Sequence, residues 1–116
     1  MAEGECIFCR IVAGEVPARV VRQDEQTLAF RDINPQAPTH VLVIPKRHIR
    51  AVNDLEPADA ELVGRLFLAA KEVAQQEGIA SSGYRLVMNN GPDAGQSVDH
   101  IHLHVLGGRH LAWPPG

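Results

Sequence analysis

The residues whose types and spacing most clearly indicate chemistry lie in the segment 100–106, His-Ile-His-Leu-His-Val-Leu. Side chains of a β-strand point alternately to its two faces. An extended segment therefore places the three imidazoles on one face and the aliphatic side chains on the other. Alternation alone requires only polar residues at the exposed positions. Three titratable rings in register favour a chemical site over the simpler alternative, a half-buried strand whose outer face is histidine.

Two kinds of chemistry use several imidazoles. Neutral imidazole is the commonest metal ligand, and a catalytic zinc ion often takes three protein ligands. However, same-face neighbours on a strand lie roughly 6.5–7 Å apart, so three of them in a line cannot easily surround one ion. The spacing therefore favours catalysis on an anionic substrate, in which the middle ring attacks and a flanking ring stabilises charge.

A polar, glycine-bearing loop over residues 89–99 leads directly into the histidine segment. Gly95 allows the backbone to approach a ligand closely. Gln96, Ser97 and nearby N–H groups can donate hydrogen bonds to phosphate oxygens. An ordinary surface turn is the alternative, and the position of the loop beside three histidines favours a binding role.

Four residues earlier in the chain have both a structural and a functional interpretation. Asp32 could cap a strand end or accept both hydroxyls of a ribose, and His40 alone is typical of a hydrogen-bonded structural histidine. Phe30 and Ile33 are typical core residues that could instead line a pocket for a base.

Composition limits the classes of function. The 116 residues predict one domain spanning 1–116, and 11 Lys and Arg against 14 Asp and Glu give a net charge of −3. The absence of a basic stretch argues against a nucleic-acid partner. We find no apolar run of about 18 residues and no signal-type apolar core, so we expect no membrane association and a cytoplasmic location.

The elements that must position these residues read as an α+β fold with a five-stranded antiparallel sheet and two helices. We predict helices over 6–13 and from Pro57 to a C-terminal cap at Gly78, with Leu62, Leu66 and Val73 on the core face. The predicted strands are 16–21, 27–30, 40–44, 84–88 and 100–106.

The chain resembles the Hint branch of the histidine triad (HIT) superfamily. The resemblance rests on the triad at 100–104, the segment 32–40 (Asp-Ile-Asn-Pro-Gln-Ala-Pro-Thr-His), Ile44-Pro45-Lys46, Gly95-Gln96-Ser97 and the terminal Trp113-Pro114-Pro115-Gly116. It implies a HIT-like homodimer in which two five-stranded sheets join into one of ten strands. It also implies hydrolysis of purine nucleoside 5′-phosphoramidates (AMP-amines) through a covalent nucleotidyl-histidine, with no cofactor required for catalysis.

The resemblance also assigns roles by motif position. His102 is the nucleophile, His104 contacts the α-phosphate, and His100 and His40 orient the reacting ring. Asp32 holds the ribose. The phosphate and leaving-group side is assigned to Asn89, Gly95, Gln96 and Ser97, and the purine is enclosed by Phe8, Ile11, Phe30, Ile33 and Leu42. Trp113 approaches the site of the partner subunit. The source of the leaving-group proton stays open between Ser97, a histidine and the substrate.

Three other activities remain alternatives at this point: a dinucleoside polyphosphate hydrolase, a nucleotide-binding regulatory module, and a zinc hydrolase that uses the triad as ligands. The tail and the Gly-Gln-Ser motif favour the phosphoramidase. Asp99 stands where many Hint relatives carry an aromatic residue, which leaves the choice of leaving group open.

Cys6 and Cys9 form a CxxC motif. Two buried thiols and a structural zinc site are both open interpretations. Zinc needs two more ligands, for which His48 and His100 are the best candidates. Some HIT relatives bind a structural zinc through a similar set, whereas other Hint members lack the cysteines. If zinc binds here, His100 is a ligand outside the phosphate site.

Overall fold

An antiparallel sheet of five strands forms the centre of the protein, whose computed structural model describes residues 6–116. The strands lie in the order β1-β2-β3-β5-β4, and each neighbouring pair is antiparallel. The elements in chain order are α1 Ile7–Val12, β1 Val20–Gln23, β2 Thr27–Arg31, β3 Thr39–Pro45, α2 Ala60–Gln76, β4 Tyr84–Val87 and β5 Leu103–Gly107. The predicted α+β class, with five antiparallel strands and two helices, is confirmed.

The long helix α2 packs on one face of the sheet. A short 3-10 turn at Pro57–Asp59 precedes the helix. The backbone N–H of Glu56, at the start of this turn, donates to the Asp59 carboxylate at 2.8 Å. The buried face of α2 consists of small and aliphatic residues, Leu66, Ala69, Ala70, Val73 and Ala74. Gly78, with φ of +75°, follows the last turn in the left-handed conformation that favours glycine.

The two faces of the sheet bury different sets of residues. The face under α2 carries Ala29, Val41, Val43, Ile101, Leu103 and Val105. The opposite face carries Leu28, Phe30, Leu42 and Ile44, which pack with Cys6 and Phe8 at the start of α1. The aliphatic residues of segment 100–106 therefore lie on the α2 side, as the alternation predicts. The second face is left for the histidines.

Two predicted strand starts are wrong by three or four residues, and the other strand limits differ from the structure by at most two. β5 begins at Leu103 rather than at 100, and the groups that precede it bond outside the β3–β5 ladder: the His100 side chain donates from its ring to the Pro45 carbonyl at 2.8 Å. Ile101 N–H donates instead to the Ile49 carbonyl, beyond the end of β3. β1 begins at Val20 rather than at 16, because Pro17 has no N–H for a sheet ladder.

No helix within residues 6–116 is long and apolar enough to cross a membrane.

Candidate functional site

His102 lies immediately before β5 with its ring buried against α1. Its Nδ1 is 2.8 Å from the backbone oxygen of His100. A carbonyl oxygen only accepts, so Nδ1 carries the proton and Nε2 keeps its lone pair. Burial lowers the pKa of His102 from its usual value, against smaller opposing effects of this hydrogen bond and of Asp32. The ring is therefore held neutral, in the tautomer whose Nε2 can attack an electrophile.

His40 and His104 form a hydrogen-bonded pair across neighbouring strands. The backbone N–H of Gln36 donates to Nδ1 of His40 at 3.0 Å, so the proton of a neutral His40 sits on Nε2. That Nε2 lies 2.9 Å from Nδ1 of His104, which therefore accepts. The proton of His104 is then on Nε2, a buried donor that has no hydrogen-bond partner within the described part of the chain.

The electrostatics keep this pair neutral as well. Burial and the neighbouring rings of His102 and His40 lower the pKa of His104 to about 4. Burial also lowers the pKa of His40, against the attraction of Asp32, whose Oδ2 lies 3.4 Å from Nε2 of His40. Adjacent ring centroids are 5.0 Å apart for His102 and His104. The arrangement thus sets an unprotonated imidazole nitrogen beside an imidazole N–H donor, which suits attack on an electrophile that develops negative charge.

A cavity of about 780 Å³ opens beside His40, within the range of small-molecule sites. Five predicted site residues line it, the nucleotide-binding candidates Ile11, Phe30, Asp32 and Ile33 and the catalytic candidate His40, whereas His102 and His104 are not among its lining residues. Phe8 and Leu42, which are also predicted to enclose the purine, lie in the buried cluster on the same sheet face, together with Phe30. Sequence reasoning missed the other lining residues, Pro17, Ala18, Arg19, Arg31, Pro35 and Pro38. No spacing distinguished them, because they come from loops and strand ends that only the fold brings together.

The loop 34–38 at the cavity edge is held from the far end of β5. Arg109 donates to the carbonyl oxygen of Gln36 at 2.9 Å. Gly108 has φ of +91°, and a Cβ there would lie 2.9 Å from Pro38 Cβ. Glycine is thus required both by the backbone and by the close approach of the loop.

The polar loop 89–99 lines a separate cavity of about 570 Å³ together with Arg50, Ala51, Asn53 and Asp54. The Gln96 side chain accepts from Gly91 N–H at 2.9 Å and donates to the carbonyl oxygens of Arg50 and Val98 at 2.7 and 3.0 Å. Its amide is thus occupied in shaping the loop. Ser97 and Gly95 are exposed, and Asn89 is half-buried.

The side chains of two further predicted site residues, Trp113 and His100, lie apart from the hydrogen-bonded pair of His40 and His104. Trp113 is 81% exposed and lines neither of these cavities. The ring of His100 faces the cysteines, while its backbone oxygen contacts His102.

Cys6, Cys9, His48 and His100 converge beside the start of α1, with one ligand atom from each within 4.8 Å of the others. Sγ of Cys6 lies 3.4 Å from Nδ1 of His100, and Sγ of Cys9 lies 3.3 Å from Nδ1 of His48. His100 donates from Nε2 to the Pro45 carbonyl at 2.8 Å, which leaves Nδ1 as the ligand atom. Such an outer hydrogen bond typically orients a metal-bound histidine. Two thiols and two imidazoles at these distances fit a closed tetrahedral zinc site.

Asp32, His40 and His104 also bring ligand atoms within 4.8 Å of one another. Here the hydrogen bonds already assign each nitrogen a role. Nδ1 of His40 accepts from Gln36, and its Nε2–H faces Nδ1 of His104. The contacts of this second group therefore fit a proton-bearing network.

Comparison with known proteins identifies a family and several relatives of the same fold. The HIT domain family matches residues 13–111. The 14 kDa zinc-binding protein of Zea mays is 53% identical over 112 residues, which cover 95% of this chain and 87% of that protein. The crystal structure of a HIT family hydrolase from Legionella pneumophila has 55% identity and a TM-score of 0.95, covering 97% of this chain and 100% of the other. A histidine triad nucleotide-binding protein from Candida albicans has 32% identity and a TM-score of 0.80, covering 87% and 73%.

Proposed function

The chain belongs to the HIT domain family, and we propose that it is a Hint-type hydrolase that cleaves the phosphorus–nitrogen bond of purine nucleoside 5′-phosphoramidates. The observation that carries this proposal is the tautomer of the His102 ring. Its Nδ1–H is committed to the backbone oxygen of His100 at 2.8 Å, so Nε2 has a free lone pair. A binding module needs no such nucleophile. The hydrolase and nucleotide-binding names of the relatives support the same class of activity.

The proposed reaction proceeds in two displacements at the α-phosphorus. Nε2 of His102 forms a bond to phosphorus while the phosphorus–nitrogen bond breaks, and the amine departs after gaining a proton. Water then attacks the nucleotidyl-histidine, releases the nucleoside monophosphate and restores the imidazole. Negative charge on the equatorial oxygens is stabilised by the Nε2–H of His104, which has no other partner among residues 6–116.

The cavity beside His40 suits the nucleoside part of this substrate. Phe30, Ile33 and Ile11 provide apolar lining for a purine, and Asp32 provides a carboxylate for the ribose hydroxyls. One Asp32 oxygen already accepts from Asn34 N–H at 2.8 Å, which fixes the carboxylate at the cavity wall. Ser97 remains a candidate for protonating the amine, with Asn89, Gly95 and Gln96 on the leaving-group side.

The decisive experiment is early acid quench followed by mass spectrometry with an AMP–lysine substrate. We expect a nucleotidyl adduct on His102 in the wild-type protein. His102→Ala should form no adduct and lose turnover while it still binds AMP. Normal turnover by His102→Ala refutes the proposal. Faster cleavage of a diadenosine polyphosphate than of any AMP-amine would favour the polyphosphate hydrolase instead.

We also propose that Cys6, Cys9, His48 and His100 hold a structural zinc ion. The distances within the cluster support the assignment, and the Zea mays relative is named as zinc-binding. When bound, the metal would cross-link α1 to the segment that carries His102. Catalysis would need no cofactor, since the proposed steps use imidazole groups. Reduced thiols of this kind fit the cytoplasm, which is the location we propose.

A homodimer is the last part of the proposal. β4 is an edge strand with half-buried residues, and an unpaired edge can join a second sheet. Pairing of two β4 strands would give the ten-stranded sheet and bring Trp113 toward the partner's site. Sedimentation equilibrium at micromolar concentration should give twice the chain mass, and a monomer would exclude this assembly.

A further inference from the structure

Phe8 occupies the first turn of α1 and contacts three other rings. Its centroid lies 5.2 Å from that of His102 with an interplanar angle of 86°. It lies 5.8 Å from His100 at 74° and 5.4 Å from Phe30 at 72°. These are edge-to-face contacts, a favourable arrangement for aromatic pairs. The side chain is only 6% exposed, so it is enclosed among these rings.

Phe8 connects the cavity wall to the nucleophile. It packs against Phe30, which lines the cavity, and against the imidazole of His102 on its other contact. The contact with His102 is a role within the protein that is separate from enclosing a base.

We propose that Phe8 is a positioning residue that sets the orientation of the His102 ring, an inference that rests on the proposed function of His102 as nucleophile. The bond from Nδ1 to the His100 oxygen fixes one atom of the imidazole. A single hydrogen bond still allows the ring to tilt about the line through that atom. An aromatic ring packed at nearly a right angle removes this freedom and keeps Nε2 aimed at one point. A small misalignment of reacting atoms costs much of the rate.

The local sequence explains how Phe8 is held in place. Cys6 Sγ accepts from Cys9 N–H at 3.4 Å and caps the helix that carries Phe8. The same two cysteines contact Nδ1 of His100 at 3.4 and 3.6 Å. The first turn of α1 is thus tied on both sides of Phe8 to the segment that carries the nucleophile.

The test separates positioning from purine binding by steady-state kinetics on AMP–lysine. Phe8→Leu removes the ring and should lower kcat about tenfold, the size expected for one aromatic contact, with KM within twofold of wild type. Phe30→Leu, which alters the cavity lining, should instead raise KM. Ile7→Ala, at an exposed neighbour in the same turn, is the inert control. A raised KM with unchanged kcat in Phe8→Leu overturns the proposal, because that pattern marks a purine contact.

A second readout does not depend on turnover. Long-range ¹H–¹⁵N spectra of the imidazoles should show His102 as a single Nδ1–H tautomer in the wild-type protein and an averaged, broadened ring in Phe8→Leu. Phe8→Met, of similar volume without a ring, takes the place of Phe8→Leu if that variant does not fold. Identical His102 signals in wild type and variant refute the positioning role. A wild-type protein that leaves AMP–lysine intact refutes the proposed function, while these spectra still decide whether Phe8 orients the ring.

Discussion

The hydrogen-bonded pair of His40 and His104 gives a quantitative test of the proposed mechanism. The 2.9 Å contact from Nε2 of His40 to Nδ1 of His104 puts the His104 proton on Nε2, where it can meet a phosphate oxygen. Removal of one preorganised donor to a transition-state oxyanion typically costs about 10²–10³ in kcat. We therefore expect His104→Ala to lose about that factor, with nucleotide affinity changed much less.

His40 affects the phosphate contact through His104, so its variants should lower kcat by a smaller factor than His104→Ala does. His40→Ala leaves Nδ1 of His104 without its donor, and the two tautomers of His104 then compete. We expect kcat to fall about tenfold, equivalent to ~1.4 kcal/mol. His40→Gln offers an amide N–H to the same Nδ1 and should recover most of the loss.

The assay is single-turnover cleavage of AMP–lysine, with AMP affinity measured separately by calorimetry. His110→Ala is a matched control, since His110 is exposed and lies outside this network. The reasoning fails if His104→Ala keeps kcat within twofold of wild type. It also fails if His40→Gln is as impaired as His40→Ala, because the tautomer of His104 would then not matter.

Three further predictions follow from other contacts. The folded pKa of His104 is about 4 and the unfolded value is near ~6.5, so between these values only the unfolded chain gains a proton. The free energy of unfolding should therefore fall as pH drops through that window and level off above it. Denaturant titrations at several pH values should show that the free energy of unfolding depends less steeply on pH in His104→Gln than in the wild-type protein. Zinc analysis should give about one ion per chain, and a chelator should lower the Tm of the wild-type protein but not that of Cys9→Ser; an equal shift in both would contradict the zinc site. Arg31, which lines the cavity, forms two hydrogen bonds with the nearly buried Glu77 at 2.7 and 3.0 Å. Glu77→Gln should lower stability by about 1–2 kcal/mol and weaken AMP binding, whereas an unchanged Tm would show that the pair is dispensable.

The alternation in 100–106 was sufficient to predict which face each residue occupies. Burial of Ile101, Leu103 and Val105 under α2 forces the intervening side chains to the other face, whether or not each residue is in a ladder. The start of β5 was not predictable in the same way. The backbone N–H of Ile101 bonds to the Ile49 carbonyl and the His100 ring bonds to the Pro45 carbonyl, and both contacts join residues far apart in the chain. Patterns within one segment carry no information about such partners.

In the candidate site, too, the sequence predicts which residues take part but not which hydrogen-bond partners they have. Residue types and the family resemblance identified His40, His104 and Asp32, but not the protonation of the two imidazoles. The tautomers depend on a backbone N–H from Gln36, and a backbone donor has no signature in residue identity. Gln96 shows the converse. Its side chain is a good phosphate donor by type, yet the fold commits both ends of the amide to the loop.

His100 shows why assigning one role to each residue is inadequate here. The sequence offers two interpretations, a histidine that orients the nucleophile and a metal ligand. The structure separates them by atom, because Nδ1 faces Cys6 at 3.4 Å while the backbone oxygen faces His102 at 2.8 Å. Replacing the side chain therefore removes a ligand of the cluster but keeps the carbonyl that fixes the tautomer. The imidazole of His100 does not take part in the proposed reaction. A loss of kcat in His100→Ala would therefore report that the Cys6–Cys9–His48–His100 cluster is needed to hold that carbonyl and Phe8 in position.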